Sequence, residues 1–180
     1  MRKKVIFSFV FALGILLGLR WLFSSLFNSS EEIYFDPRSE QYQGLDDIIK
    51  NPKFKDKLLY IDIWGTRCVP CIKEFPDSKK LSEYFKDNNK VAFIYLCSPY
   101  NYVDDQVRWR FFAKKYELSG HHIFLTEQAY FEVYKKIEGN TKLRYLIPRY
   151  VIAKNGKILM PRAPSPSASK QTIEALKSYL

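Results

Sequence analysis

The chain has 180 residues, 47% hydrophobic and 17% aromatic, enough to bury one ordinary core but short for two. Its formal net charge of +10 does not point to nucleic acid. Four of the positive charges fall in residues 1–30, which hold no acid, and the other basic residues are spread among acids rather than gathered into a stripe. Three cysteines, two of them only three positions apart, argue against a structural disulfide framework, which favours an even count and longer loops.

Met1-Arg2-Lys3-Lys4 opens the chain with positive charge, and residues 5–19 follow without a charged side chain. Fifteen apolar residues suit the core of a signal peptide, whereas a full span needs about 20. Arg20 can snorkel and Trp21 to Phe27 extend the apolar character, while Phe23-Ser24-Ser25 and Phe27-Asn28-Ser29 make poor cleavage sites. Residues 1–27 are therefore read as an uncleaved signal anchor, with a signal peptide as the alternative. The basic start lies inside and the rest is exported, or secreted if the segment is cleaved.

Residues 28–43 read as a polar, irregular tether, and residues 44–180 as the folded domain. A short helix is expected at 45–50, stopped before Pro52. Lys57 to Trp64 is a nearly continuous apolar run interrupted by Asp62, which suits a central strand buried on both faces. A helix follows over 69–87, with Pro76 expected to kink it. Residues 91–97 form the next buried strand, 103–116 a helix and 130–137 a shorter one. Residues 149–153 and 157–160 are two strands joined by Asn155-Gly156, a strong hairpin signal. Residues 169–180 close the chain as an amphipathic helix with Ile173, Leu176, Tyr179 and Leu180 on its apolar side. The order implies an α/β fold, a mixed central sheet flanked by helices, preceded by the N-terminal anchor helix.

The chemistry concentrates at Trp64-Gly65-Thr66-Arg67-Cys68-Val69-Pro70-Cys71-Ile72-Lys73-Glu74-Phe75-Pro76. Cys68 sits where a buried strand ends and a helix begins, so its sulfur faces unpaired backbone N–H groups and the positive end of the helix dipole, both of which favour thiolate. Arg67 beside it adds positive potential. Cys71 lies one turn further in and is screened from water. Such a pair attacks a disulfide through the outer thiol and resolves the mixed disulfide through the inner one, which must first lose a proton. Asp62 interrupts an apolar strand, where a buried acid has a raised pKa, and Glu74 is three residues after Cys71 on the same helical face. Both are candidates to take that proton.

Asp62 through Cys71 resembles the active-site strand and turn of thioredoxin. Cys71-Ile72-Lys73-Glu74-Phe75-Pro76 resembles more specifically the membrane-anchored TlpA/ResA group of thioredoxin-like oxidoreductases, whose active-site helix carries a functional Glu and a Pro there. Leu146 to Lys157 resembles the family's cis-proline strand and hairpin. The resemblance covers about residues 44–180 and implies a redox-active Cys68–Cys71 disulfide. It also implies a cis peptide bond at Pro148, packed against the pair, and a free Ile147 backbone that meets an extended substrate. Trp64 and Pro70 join Ile147 and Pro148 as the expected substrate-facing residues. Two positions depart from the family: Arg67 stands where a second Trp is usual, and Val69 where Gly is common.

The implied activity is that of a thiol-disulfide oxidoreductase anchored on the outer, periplasmic face of the inner membrane. It would reduce disulfide-containing proteins and take electrons from a membrane thiol donor, with no metal or organic cofactor. Maturation of cytochrome c and general maintenance of envelope thiols are both compatible with this. An exported copper chaperone using Cys68, Cys71 and His121 or His122 is the alternative, although adjacent histidines before Ile-Phe-Leu more often belong to a loop or strand edge. A peroxidase is disfavoured because Ile61 and Gly65 occupy the positions where its motif has Pro and Thr or Ser. A purely structural bridge is disfavoured by Asp62, Glu74 and Pro148 around the pair, and Cys97 reads as a buried hydrophobe.

Overall fold

A computed structural model of the chain describes residues 13–21, 24, 32–139 and 146–180. Most of the expected anchor and the start of the expected tether lie outside the described residues. Residues 13–21 are helical, and no helix among the described residues is long and apolar enough to cross a membrane.

Strand β2 (Leu58–Gly65) is buried at all eight positions, as its apolar run requires, and occupies the middle of a six-stranded sheet. It pairs in parallel with β3 (Val91–Ser98) and antiparallel with β5 (Arg149–Lys154). Outside β3 come β4 (Gly120–Phe124) and then β1 (Ile33–Phe35), both parallel; outside β5 comes β6 (Lys157–Met160), antiparallel. The β5–β6 turn uses Asn155 and Gly156, both at positive φ.

Alternation along β2 divides the core in two. Leu58, Tyr60 and Trp64 face α2 (Val69–Tyr84), α3 (Asp105–Lys115) and α5 (Ser169–Ser178), meeting Phe75, Leu81, Trp109, Ala113 and Leu176. Leu59, Ile61 and Ile63 face the other way, toward α1 (Leu45–Ile49) and α4 (Glu127–Glu138), meeting Leu45, Ile48, Ala129 and Val133. The α/β expectation, a mixed sheet between helical layers, is what the chain adopts. Helix α2 continues through Pro76 and ends at Tyr84 rather than 87. Helix α4 begins three residues earlier than expected, where Thr126 Oγ1 accepts a hydrogen bond from Ala129 N (3.1 Å).

Two elements differ from the sequence reading. Residues 33–43 are not tether: β1 extends the sheet beyond β4, Phe35 packs edge-on against Trp109 with ring centroids 5.0 Å apart, and buried Tyr42 donates to Asp36 (2.7 Å). A three-residue strand between acidic flanks is too short to show a period. The stretch around His121 and His122 is neither loop nor sheet edge but β4, held between β1 and β3. Its first residue, Gly120, has φ +149°, and a Cβ there would come within 2.5 Å of the Phe93 carbonyl oxygen, so only glycine lets the strands close.

If residues 33–35 belong to the core, Phe35→Ala should cost about 3–5 kcal/mol, as for other buried Phe truncations. Urea unfolding measures this, and a change below about 0.5 kcal/mol, ordinary for surface sites, would restore the tether reading.

Candidate redox site

The end of β2 and the start of α2 build the site. Gly65 sits where the chain leaves the sheet, and a Cβ there would meet Tyr100 Cε2 at 2.6 Å and Ser98 Oγ at 2.8 Å. Its lack of a side chain lets the turn pass beneath the Tyr100 ring. Cys68 N then donates to Gly65 O (3.0 Å), and Cys68 takes the N-cap position of α2, its Sγ accepting from Cys71 N (3.2 Å). Cys68 and Cys71 are joined as a disulfide. Cys68 keeps 6% of its surface exposed and Cys71 1%, so the outer sulfur is the one a second protein can reach. Val69 and Pro70 between them are exposed.

The peptide bond between Ile147 and Pro148 is cis. Ile147 packs on the cluster that contains both cysteines, and both residues are half-buried at the entry to β5. Trp64 does not join them. It is completely buried, with its ring edge-on to Phe75 at 4.9 Å, so the expected substrate contact is corrected to interior packing beneath the turn. Strand alternation explains it: Trp64 shares the face of Tyr60 and Asp62, which α2 covers.

Asp62 is 2% exposed, and neither carboxyl oxygen has a hydrogen-bond partner among the described residues. Burial, and then the charge of Glu74, push its carboxyl well above the usual carboxylate range. Glu74 is half-buried and accepts hydrogen bonds from Ser167 N (2.9 Å) and Ser167 Oγ (2.8 Å), which tie α2 to the 161–168 loop. The two carboxyls are thus near enough to feel one another, one sealed and one at the margin of solvent.

Comparison by sequence finds no protein-family model and no curated protein that matches the chain. Solved structures do match. The crystal structure of a Bacteroides vulgatus protein assigned as a thiol-disulfide oxidoreductase is 26% identical with a TM-score of 0.52, over 72% of this chain and 83% of the other. A solution structure from the same organism, with the same assignment, is 25% identical with a TM-score of 0.52, over 71% and 76%. A thioredoxin-family thiol:disulfide interchange protein of Chlorobium tepidum is 18% identical, with a TM-score of 0.51 over 69% and 83%. The chain is a thioredoxin-like protein.

In this thioredoxin-like protein the turn is clamped by groups the sequence reading missed. Buried Asp105, at the start of α3, accepts from Thr66 Oγ1 (2.8 Å), Tyr100 N (2.9 Å) and Tyr102 N (3.1 Å). Arg108 donates to the Thr66 carbonyl (3.1 Å). Arg67 reaches Asp104 (2.5 Å), lies 3.8 Å from Asp105 and stacks on the Tyr102 ring, 4.0 Å from its centroid. The expected positive potential of Arg67 on Cys68 is therefore largely offset by two acids. The only hint in the sequence was the Asp104-Asp105 pair at a helix start, where acids serve as caps.

The thioredoxin-like core also places the remaining candidates. Cys97 is fully buried on β3, its thiol pushed up by burial, and acts as an interior hydrophobe. His122 is buried, with Nε2 bonded to Leu118 O (2.8 Å) and its ring stacked on Tyr95; His121 lies against Tyr34 and Phe54. They occupy β4, with β3 between them and β2, the strand that leads into the cysteine turn, so the copper-chaperone ligand set is not assembled. Among the described residues no group of three or more His, Cys, Asp or Glu is placed to hold a metal.

Freeing Arg67 should tune the pair. Asp104→Asn is expected to lower the Cys68 thiolate pKa and raise the reduction potential by about 15–30 mV, a three- to tenfold change against glutathione. Arg67→Ala should change it little; equal potentials in Asp104→Asn and wild type would show that Arg67 does not act on Cys68.

Burial also sets the pH dependence of stability. His121 is pushed down to about 4 and His122 to about 3, so below the ordinary histidine range the unfolded chain binds two protons that the folded chain does not. Asp62 works oppositely, because the folded chain retains a proton that the unfolded chain loses above the ordinary aspartate range. Between about pH 4.5 and 6.5 the histidines make stability rise with pH and Asp62 opposes them, so the rise is shallower than two histidines alone would give. Once the unfolded histidines are neutral the opposing Asp62 contribution is left, and it lowers stability as pH rises through its raised ionisation range. Urea midpoints should peak between about pH 6 and 7, and Asp62→Asn should remove the alkaline fall; wild-type stability still rising at about pH 8 would contradict the assignment.

Proposed function

We propose that this thioredoxin-like thiol-disulfide oxidoreductase reduces disulfides in extracytoplasmic proteins, working from the outer face of the membrane to which residues 1–27 anchor it. The observation that carries the reading is the placement of Cys68 at the N-cap of α2, bonded to a more deeply buried Cys71. The backbone N–H of Cys71 already points at Cys68 Sγ, the contact that stabilises a thiolate once the disulfide opens.

The catalytic cycle starts from the dithiol. The Cys68 thiolate attacks one sulfur of a client disulfide, forming a Cys68–client bond and releasing the other client sulfur as a thiolate, which takes a proton from water. Cys71 gives its proton to the Asp62 carboxylate, and its sulfur attacks Cys68 Sγ. The Cys68–client bond breaks, the second client sulfur leaves as a thiolate, and the Cys68–Cys71 disulfide remains. The client gains two electrons and the protein loses two. A membrane dithiol donor then returns them by the same exchange in reverse.

Its raised pKa suits Asp62 to this step, because burial makes the carboxylate a stronger base than an exposed one. Glu74 stands between it and solvent and receives the proton in turn. Ile147, Pro148 and Pro70, with Tyr100 and Tyr102 across the turn, form the surface on which an extended client lies. The net charge of the N-terminal segment supports the orientation: its first four residues hold three positive charges and no acid.

Cys71→Ser should trap clients as mixed disulfides through Cys68, recovered from intact cells by non-reducing gels and lost in Cys68→Ser. The potential of the pair, measured against glutathione or dithiothreitol, is expected on the order of −250 mV. A value on the order of −120 mV would make the protein an oxidant, and one below about −300 mV a structural disulfide.

A further inference from the structure

Asp62, Tyr95 and Tyr150 form one row across the sheet. Asp62 on β2 is in register with Tyr95 on β3 and with Tyr150 on β5, so the three side chains rise side by side from the same face. Tyr95 is 2% exposed and Tyr150 5%. Both hydroxyls, like both carboxyl oxygens of Asp62, are buried with no hydrogen-bond partner among the described residues. Four polar atoms from three adjacent strands thus lie in one row on one face without bonding to each other. Buried polar groups in folded proteins are almost always paired, with protein or with an internal water that makes two to four bonds.

The neighbouring groups do not satisfy them. Tyr60, on Asp62's own strand, stacks on Tyr150 at 5.8 Å, but its hydroxyl donates to the Pro164 carbonyl (2.8 Å). His122, beyond Tyr95 on β4, bonds Leu118 through Nε2, and its Nδ1 is a further buried atom without a partner among the described residues. On α2, Glu74 acts on Asp62 by its charge while its oxygens accept from Ser167. Trp64 Nε1, two residues along β2, is a further buried donor without a partner. Two hydroxyls and a carboxyl make a balanced set for bound water: the carboxylate only accepts, and each phenol both donates and accepts.

We propose that Tyr95 and Tyr150 hold internal water on the Asp62 carboxyl and are the positioning residues of its proton. Their hydroxyls, donating directly to that water or through it to the carboxylate, stabilise the charged form against the burial and the Glu74 charge that oppose it. The hydrogen-bonded water also gives the proton a way out, toward Tyr150 and the Glu74 side of the row. Use of that proton in resolving a mixed disulfide rests on the oxidoreductase reading above; the hydration site does not.

The test uses the oxidised full-length protein, with aspartate labelled at the carboxyl carbon and the Asp62 signal assigned by its loss in Asp62→Asn. Tyr95→Phe and Tyr150→Phe should each lower the ionisation constant of Asp62 three- to tenfold, moving its titration to higher pH. A purely structural role would lower the melting temperature and leave the titration in place, and an unchanged or downward midpoint in both variants overturns the proposal. One measurement needs no variant: in the wild type, a long-lived water should give cross-relaxation to the ring protons of Tyr95 and Tyr150, and its absence at both overturns the site. In the reduced protein, the pH profile of the Cys71 attack should shift by the same factor. A moved carboxyl titration with an unmoved attack profile supports the hydration site and removes Asp62 as the base.

Discussion

The burial of β2 on both faces is the constraint from which the rest of the structure follows. A strand with no solvent face must lie in the middle of a sheet and be covered by helices above and below, and the chain supplies α2, α3 and α5 on one side and α1 and α4 on the other. That enclosure leaves only the strand's end free, and there the chain turns beneath Tyr100 and starts α2 with a cysteine at its cap. The exposed sulfur and the screened one are separated by this change of element. The same enclosure makes the acid in β2 costly: every unit by which burial lifts the Asp62 pKa takes about 1.4 kcal/mol from the folded state at high pH. A group of that cost in the middle of the core, on the face covered by the disulfide-bearing helix, is what makes Asp62 a candidate functional residue.

Two positive influences could act on Cys68, and the structure gives them unequal weight. The N-terminus of α2 acts at hydrogen-bond range through the Cys71 N–H and cannot be moved without unwinding the helix. Arg67 is adjacent in sequence but is drawn toward α3, where Asp104 and Asp105 neutralise it and the Tyr102 ring covers one face. The backbone N–H is thus the positive group in direct contact with the Cys68 sulfur, while the Arg67 cluster forms the neighbouring rim of the turn. The clamp on Thr66 by Asp105 and Arg108 fixes the turn itself, since it holds both the side chain and the carbonyl of the residue two before Cys68.

What the sequence made legible is what has a period or a local chemical cause. The unbroken apolar run of β2, the hairpin at Asn155-Gly156 and the apolar stripe of α5 each carry their signal in a short window. The strand-to-helix placement of Cys68 followed from those neighbours. Strand β1 was not legible, because three residues cannot establish alternation, and β4 was masked by two histidines whose burial depends on aromatic partners from other strands, Tyr95 of β3 and Tyr34 of β1. The resemblance set Trp64 among the substrate-facing residues, whereas strand alternation turns it inward. The Asp105 hub joins residues about 40 positions apart, and no local pattern announces such a pairing. Resemblance supplied what spacing could not, the cis bond before Pro148.

The 161–168 loop is bonded to the strands and helices around Asp62. The Pro164 carbonyl accepts from the Tyr60 hydroxyl, Ser167 donates to Glu74, the Ser165 carbonyl accepts from Thr172 of α5, and Ala163 N donates to the Tyr150 carbonyl. Each bond joins the loop to a different element around the row that contains Asp62. The loop also turns apolar groups inward, Pro166 being buried and Ala163 packed on the cluster that holds the cysteines, so it closes this edge of the core while its polar groups tie four elements together. Glu74, half-buried on α2, is the carboxylate through which the loop meets the helix that carries the disulfide.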